Sequence, residues 1–233
     1  MIRAIGARKL VTGGVVGLAV LTAGCNATTV VGAEGPQPGV AARVGDTTLS
    51  IDDADLLTDT VCDAQAQNPQ AQPTTRVLAE QGIIGQWVTA EAAMQIVDDK
   101  GIDVDVQPFD RSQIPGWDDL SEDEQEVVGE YADGLSFLNA AGPKLDQGDE
   151  SQNGLDLSGV DISINPRYDI SLQDHRLEAS SNDLSVAVSD ESAAGAADQP
   201  TTEQLMALPD SQLCGPRPQA SSPQSPGLPV PQG

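Results

Sequence analysis

The sequence predicts an α+β fold: a mainly helical domain with a small antiparallel sheet formed by early and late strands. Residues 42–49 alternate as a short hairpin would, and three segments with helical periodicity follow them. Alternating apolar residues return at 160–164 and 184–188, which predicts two late strands. Because the order is strand, helices, strands, the late strands are expected to pair back on the early one. We place this domain at residues 40–190.

The domain is predicted to begin with a hairpin over residues 42–49, whose tight turn contains Gly45. Ser50, with an acidic residue three positions later, predicts the N-cap of a helix over residues 51–66. Cys62 falls on the apolar face of this helix, so its thiol is expected to point toward the core.

The longest predicted helix covers residues 76–100, capped by threonine at its start and stopped by Gly101. At 100° per residue its apolar side chains gather on one broad face: Ala79, Ile83, Ile84, Trp87, Val88, Met94 and Val97. Glu80 and Glu91 interrupt that face, which indicates a rim or groove. We predict a binding surface for polypeptide clients there, formed by Ile83, Ile84, Trp87 and Met94. The alternative is that all four belong to the core.

A third helix is predicted to begin with the capping box formed by Ser121 and Glu124. Its acid-rich first turn complements the positive end of the helix dipole. The helix is expected to run to Ala141 and to end at Gly142 and Pro143.

The N-terminus predicts a signal peptide over residues 1–24. Arg3, Arg8 and Lys9 precede an uncharged run over residues 10–21 that is too short and too rich in glycine to span a membrane. The small residues directly before Cys25 resemble the lipobox of bacterial lipoproteins. The alternative is an ordinary secretory signal, after which Cys25 keeps its thiol and pairs.

This resemblance implies that the Cys25 thiol receives a diacylglycerol, with fatty acyl chains such as palmitate. The mature protein would then be anchored by lipid at the extracytoplasmic face of the cell membrane. Residues 25–39 are small, polar and aperiodic, as expected of a flexible tether between the lipid and the domain.

The charge of the chain is strongly negative. Removing residues 1–24 removes three of the 11 basic residues and none of the 36 acidic ones, so eight basic residues remain and the net charge becomes −28. Nucleic acid is excluded as a partner, because phosphate binding needs a basic surface. Anionic lipid headgroups would also repel the acidic domain.

Cys62 and Cys214 are predicted to form a disulfide, because acylation of Cys25 leaves an even pair in an oxidising compartment. The alternatives are two free thiols or a catalytic cysteine, and the one histidine of the chain, His175, is not near either cysteine in sequence. Residues 191–233 form a low-complexity tail rich in proline, and the disulfide would hold it against the domain near Cys214.

No constellation of residues indicates catalysis, a cofactor or a metal. Asp149, Ser151, Asn153 and Gly154 imitate the start of a calcium loop, but Val160 occupies the position of the bidentate glutamate. A solvated loop is therefore favoured. His175 lies between Asp174 and Arg176 in a polar stretch, which favours an exposed loop residue over a catalytic base. We expect the protein not to be an enzyme.

Two stretches carry a resemblance to a known family. They are Ala-Arg-Val-Gly-Asp-Thr-Thr-Leu-Ser at residues 42–50 and Val-Asp-Ile-Ser-Ile-Asn-Pro-Arg-Tyr at residues 160–168. Together they resemble the N-terminal domain of SurA/PrsA-type foldase-chaperones, as found in small actinobacterial lipoproteins. The family has Asn-Gly at the first turn and Gly after the tyrosine, where this chain has Gly45-Asp46 and Asp169.

The resemblance implies binding of unfolded or partly folded secreted polypeptides in an apolar groove between helices. Many relatives carry a parvulin prolyl-isomerase domain between the two halves of this domain, whereas residues 142–159 here have room only for a loop. The sequence therefore predicts a chaperone-like protein without isomerase activity. Two alternatives stay open: a scaffold lipoprotein that binds one envelope partner, and a lipoprotein that binds a small ligand.

Overall fold

The structure, a computed structural model, describes residues 37–145, 155–179 and 200–218. In these residues the helices are α1 (Ile51–Gln67), α2 (Arg76–Lys100), α3 (Glu122–Leu145) and the short α4 (Thr202–Ala207). The strands are β1 (Val40–Val44), β2 (Thr47–Ser50), β3 (Thr74–Thr75), β4 (Ile162–Ile164), β5 (Ile170–Gln173), β6 (Arg176–Ala179) and β7 (Leu213–Cys214).

The early and late strands share one antiparallel sheet in the order β2-β1-β4, which confirms the predicted α+β class. β1 and β2 form the expected hairpin, and Gly45 at its turn has a φ of 56°, a conformation that glycine adopts without strain. β4 returns beside β1, with Arg43 opposite Ser163. The sheet thus joins residues separated by more than a hundred positions in the chain.

The first two helices have the termini that the sequence predicts. Ser50 Oγ accepts a hydrogen bond from the Asp53 amide at 3.0 Å and so caps α1. Thr75 Oγ1 accepts from the Leu78 amide at 3.2 Å and caps α2. At the other end of α2, Gly101 has a φ of 61°, as expected of a left-handed C-cap.

Helix α3 begins as predicted but ends later. Ser121 and Glu124 form both hydrogen bonds of the capping box, at 2.8 and 3.3 Å. The predicted end at Ala141 is wrong, because the helix continues through Pro143 to Leu145. A proline lacks its own N–H donor but leaves the following residues able to stay helical. The Lys144 ammonium donates to the backbone carbonyl of Asp103. This hydrogen bond holds the last helical residues of α3 against the segment that follows α2.

The irregular connection between α2 and α3 contains two single-turn 3-10 helices, Arg111–Gln113 and Trp117–Asp119. The Arg111 guanidinium donates to both carboxylate oxygens of Asp133 on α3, at 2.8 and 2.5 Å. It also lies over the Trp117 ring, 5.9 Å from the ring centroid. These contacts hold the connection against α3.

Candidate functional site

The apolar face of α2 is the centre of the core. α2 packs against α1, α3 and β1, and Ile83, Ile84 and Trp87 are 3%, 0% and 9% exposed. Met94 is half-buried. The burial of Ile83, Ile84 and Trp87 agrees with the alternative interpretation of this face, in which these side chains belong to the core. A polypeptide could reach the first three side chains only if the surrounding packing opened, so they carry no binding site in the packed state.

The two glutamates that interrupt the apolar face of α2 lie at the rim of this core and are both half-buried. Burial raises the pKa of the Glu80 carboxyl, and the neighbouring Asp55 carboxylate raises it further. Burial also raises the pKa of Glu91, with a further contribution from Glu130 on α3, while a hydrogen bond with Thr47 acts in the opposite direction. The rim predicted from the sequence is therefore present, and it is acidic.

The disulfide between Cys62 and Cys214 is present, as predicted. Cys62 is on α1, and Cys214 is in β7, which pairs with β3 so that Cys214 lies opposite Thr74. The segment 200–218 is thereby joined to the end of α1 and the start of α2. Leu205 and Leu208 are buried against Leu213 in a small second core, which orders this segment.

The Arg217 guanidinium stabilises the same segment from within. It donates to the carbonyl oxygens of Met206 and Leu208, both at 2.9 Å, and to the Asp210 carboxylate. Because all three acceptors lie within residues 206–210, these bonds order the segment without attaching it to the rest of the domain. Its attachment to the domain includes the disulfide, the pairing of β7 with β3 and the packing of residues 210–214 against α1 and α2.

The two stretches that carry the family resemblance lie side by side. β4 pairs with β1 over residues 162–164, and Asn165 directly after it makes two further bonds to β1. The backbone N–H of Asn165 donates to the Ala41 carbonyl at 2.8 Å, and its side-chain Nδ2 donates to the Val40 carbonyl at 3.1 Å. The Asn165 side-chain oxygen also accepts from the Arg167 amide at 3.2 Å. The asparagine thus fixes both the strand end and the following turn, Pro166–Tyr168.

The hairpin β5–β6 was not predicted from the sequence. Its turn is made by Asp174 and His175, which have φ values of 47° and 64°. Two-residue turns with this conformation are usually made by Asn-Gly or Asp-Gly. The pair Asp-His is therefore a weak indication of a hairpin turn in a sequence. The alternation of Ile170 and Leu172 with polar residues was the signal present in the sequence. His175 is an exposed turn residue, in agreement with the loop assignment.

This hairpin presents a group of partly exposed apolar side chains beside the main core. Leu172 pairs with Leu177 across the strands, and Ile170 shares their face because it lies two residues before Leu172. All three side chains pack against the main core, but each stays partly exposed, as does Ile164 of β4. We name Ile164, Ile170, Leu172 and Leu177 the hairpin surface. Within the described residues, β5 and β6 form a sheet of two strands, so each has one edge without a neighbouring strand there.

Several predicted features fall on residues that the structure does not describe: the signal peptide, Cys25, the strand at 184–188 and the calcium-like residues Asp149 to Gly154. Among the described residues, no group of three or more His, Cys, Asp or Glu side chains could hold a metal ion. None of the helices in that part of the chain has the length and apolar character needed to cross a bilayer.

Comparison of the chain with protein families, with curated proteins and with solved structures found no match in any of the three.

Proposed function

We propose that this protein is a lipid-anchored, extracytoplasmic chaperone-like protein that binds unfolded or partly folded secreted polypeptides and has no isomerase or other enzymatic activity. The observation that carries the proposal is the pairing of β1 with β4. It brings together the two stretches that resemble the SurA/PrsA-type domain, with Asn165 bonded to Val40 and Ala41. The anchor in this proposal is the lipid on Cys25.

The hairpin surface is the place where we propose that a client binds. Its apolar side chains are partly exposed, whereas Ile83, Ile84 and Trp87 on α2 are buried, so an extended chain can contact the hairpin without opening the core. The strand edges beside them carry backbone donors and acceptors. An extended polypeptide can add to such an edge as a further strand while its apolar side chains contact the neighbouring face. This mode of binding is tolerant of sequence, as a general chaperone requires.

The charge of the protein indicates which clients bind best. The full chain has a net charge of −25, so a basic unfolded polypeptide approaches faster than an acidic one. We therefore expect association with basic clients to weaken with added salt. The apolar contact on the hairpin should be much less sensitive to salt, because exposed charges are screened while apolar burial is not.

The hairpin surface is tested by the double substitution Leu172→Ser and Leu177→Ser. Each change removes roughly 1.5 kcal/mol of the binding free energy that apolar burial supplies, and about 1.4 kcal/mol of binding free energy corresponds to a tenfold change in affinity. The concentration needed to halve the aggregation of a reduced, unfolded secreted protein should therefore rise about tenfold or more. Light scattering measures this, at a temperature at which circular dichroism shows both proteins to be folded.

Two control variants accompany this experiment. Leu172→Met keeps the apolar area and should preserve activity, since methionine suits adaptable contacts. Val77→Ser alters an apolar side chain that is 45% exposed on α2 and should leave activity unchanged. Equal loss in Val77→Ser and in the hairpin variant would contradict the proposed location.

The two alternative functions predict different results in the same assay. A scaffold lipoprotein would bind one envelope protein and would not protect unrelated unfolded proteins from aggregation. A protein that binds a small ligand would show no dependence on the hairpin leucines when polypeptides are tested. Protection of several unrelated clients by the wild type, lost in the hairpin variant, supports the chaperone-like function over both.

A further inference from the structure

The two strand edges of the hairpin differ in the charges beside them. On the face away from the leucines, β5 carries Ser171 and Gln173, which have no charge, whereas β6 carries Arg176 and Glu178. Charged side chains on an edge strand oppose the addition of a further strand. Within the described residues, β6 is the one strand that pairs with β5. The outer edge of β5 is therefore the better place for an extended polypeptide to add.

The turn of the hairpin determines which backbone groups of β5 point to its outer edge. A two-residue turn is closed by a hydrogen bond between the residues that flank it, here Gln173 and Arg176. In an antiparallel pair, residues that bond to the partner strand alternate with residues whose N–H and C=O point away from it. The backbone groups of Leu172 and Ile170 therefore point outward, and the described part of the chain supplies no backbone partner for them.

The same two residues carry the apolar side chains of β5. Ile170 and Leu172 are partly exposed members of the hairpin surface. In a hydrogen-bonded antiparallel pair, residues directly opposite each other have their side chains on the same face of the sheet. A client residue bonded to Leu172, and the second residue after it, bonded to Ile170, would thus add their side chains to the hairpin surface. The client residue between them would face away, with its N–H directed to solvent.

The charges favour a basic client strand over a second copy of this protein. The exposed Asp174 lies in the turn, two residues after Leu172. A strand antiparallel to β5 would bring toward Asp174 the client residue two positions before the one bonded to Leu172. The full chain has a net charge of −25, so two copies repel each other, while a lysine or arginine of a client is attracted.

We propose that β5 binds its client as an added antiparallel strand, and that the client segment has two apolar residues separated by one residue, with lysine or arginine two positions before the first of them. This inference rests on the proposed function and specifies the polypeptides that bind best. The apolar residues donate their N–H groups to the carbonyl oxygens of Leu172 and Ile170. Proline is therefore disfavoured at either apolar position and compatible with the position between them.

A synthetic peptide tests the backbone contacts. The probe is acetyl-Lys-Thr-Val-Thr-Val-Thr-amide, and its Kd for the folded full-length protein is measured from the chemical shifts of isotope-labelled leucine methyl groups. N-methylation of either valine removes a hydrogen-bond donor and should raise Kd at least about fivefold. N-methylation of the threonine between the valines is the matched control, because it adds the same methyl group, and should change Kd less than about twofold.

The one histidine of the chain reports the orientation of the peptide. His175 is exposed in the turn, so a nitroxide on the N-terminus of the peptide should broaden its ring-proton signals more than a nitroxide on the C-terminus. The opposite order, with the valines still sensitive to N-methylation, would place the peptide on β6. Sensitivity at the threonine instead of the valines would show parallel addition. Either result overturns the proposal.

Asp174→Asn tests the charge contact, since asparagine also tolerates the left-handed conformation of this turn residue. It should weaken binding of the lysine peptide about two- to threefold and leave a peptide with glutamine in place of lysine unchanged. An equal change for both peptides would overturn the requirement for a basic residue. A dimer of the protein that the peptide dissociates, seen by sedimentation, would identify a second copy as the occupant and overturn the proposal.

The aggregation assay separates this inference from the proposed function. If the protein suppresses aggregation through its hairpin leucines but does not bind the peptide, or binds both N-methylated forms equally, strand addition at β5 is overturned and the chaperone-like function stands. If the protein does not suppress aggregation of any client, the proposed function is itself overturned, and the inference that rests on it is overturned as well.

Discussion

Trp87 illustrates how a side chain that suggests a binding site can belong to the core. It lies on the apolar face of α2 with Ile83 and Ile84, and only 9% of its surface is exposed. The protein has two tryptophans and few other aromatic residues, so its core depends on each large side chain more than an average core does.

Replacing Trp87 with alanine should lower the free energy of unfolding by about 3–5 kcal/mol, the usual loss for a large buried aromatic side chain. Urea unfolding followed by circular dichroism measures this change. Val77→Ala, at the exposed position of the same helix, should change the free energy of unfolding by less than about 0.5 kcal/mol. A small effect of Trp87→Ala would contradict the assignment of Trp87 to the core, because a buried tryptophan contributes more to the free energy of unfolding than an exposed one.

At the scale of elements, the glycines of α2 differ in what they contribute. Gly82 lies in the middle of α2 on its solvent-exposed side, and a Cβ added to it would have no other atom within 4 Å. Gly101 ends the helix with a φ of 61°, a conformation that side chains disfavour, although it too has open space around it. The two positions therefore separate the effect of helix propensity from that of backbone strain.

Gly82→Ala should stabilise the protein by about 0.5–1 kcal/mol, because alanine loses less backbone entropy in a helix than glycine does. Gly101→Ala should destabilise it by about 1 kcal/mol, since alanine must then adopt the left-handed conformation. Thermal unfolding of the two variants beside the wild type checks both signs. Destabilisation by Gly82→Ala would show that its side of α2 contacts something beyond the described residues.

The elements also show what the sequence can and cannot predict. Caps and periodicity predicted α1, α2 and the start of α3, because those signals are local. The end of α3 was missed because Lys144 bonds to Asp103, a contact between residues far apart in sequence. The hairpin β5–β6 was missed because Asp174 and His175 are an unusual turn pair. Periodicity likewise shows that the face of α2 is apolar, but it cannot show that α1, α3 and β1 cover that face, so it left a binding surface and a core as alternatives.

For the whole molecule, the dominant property is negative charge. Burial raises the pKa of Glu80, Glu91 and Glu130. The folded state therefore binds their protons more strongly than the unfolded state does. Their contribution to stability is complete below the unfolded pKa of about 4.3 and is lost as pH rises through the folded pKa values.

The opposite dependence applies to Asp133, whose pKa is lowered by its hydrogen bonds with Arg111. Its contribution is present above the unfolded pKa of about 3.9 and is lost as pH falls through the folded value. The two dependences together predict maximum stability at mildly acidic pH, near about pH 5, with a decline toward both sides.

Scanning calorimetry at a series of pH values checks this prediction. The melting temperature should be higher near about pH 5 than near about pH 8. Glu91→Gln and Glu130→Gln should each raise the melting temperature near about pH 8 more than near about pH 5. A melting temperature that increases steadily from about pH 5 to about pH 8 would contradict the assignment of these glutamates.

The disulfide also determines how the polypeptide is connected. Cys62 and Cys214 are 152 positions apart, so one covalent ring contains most of the helices and every strand after β2 in the described residues. A protease that cuts the backbone once anywhere inside this ring opens it but releases no fragment. Both products stay joined through sulfur, and the N-terminal and C-terminal parts of the protein remain a single molecule. A second cut inside the ring releases the piece between the two cuts, and reduction of the disulfide is needed to separate the part that carries Cys62 from the part that carries Cys214.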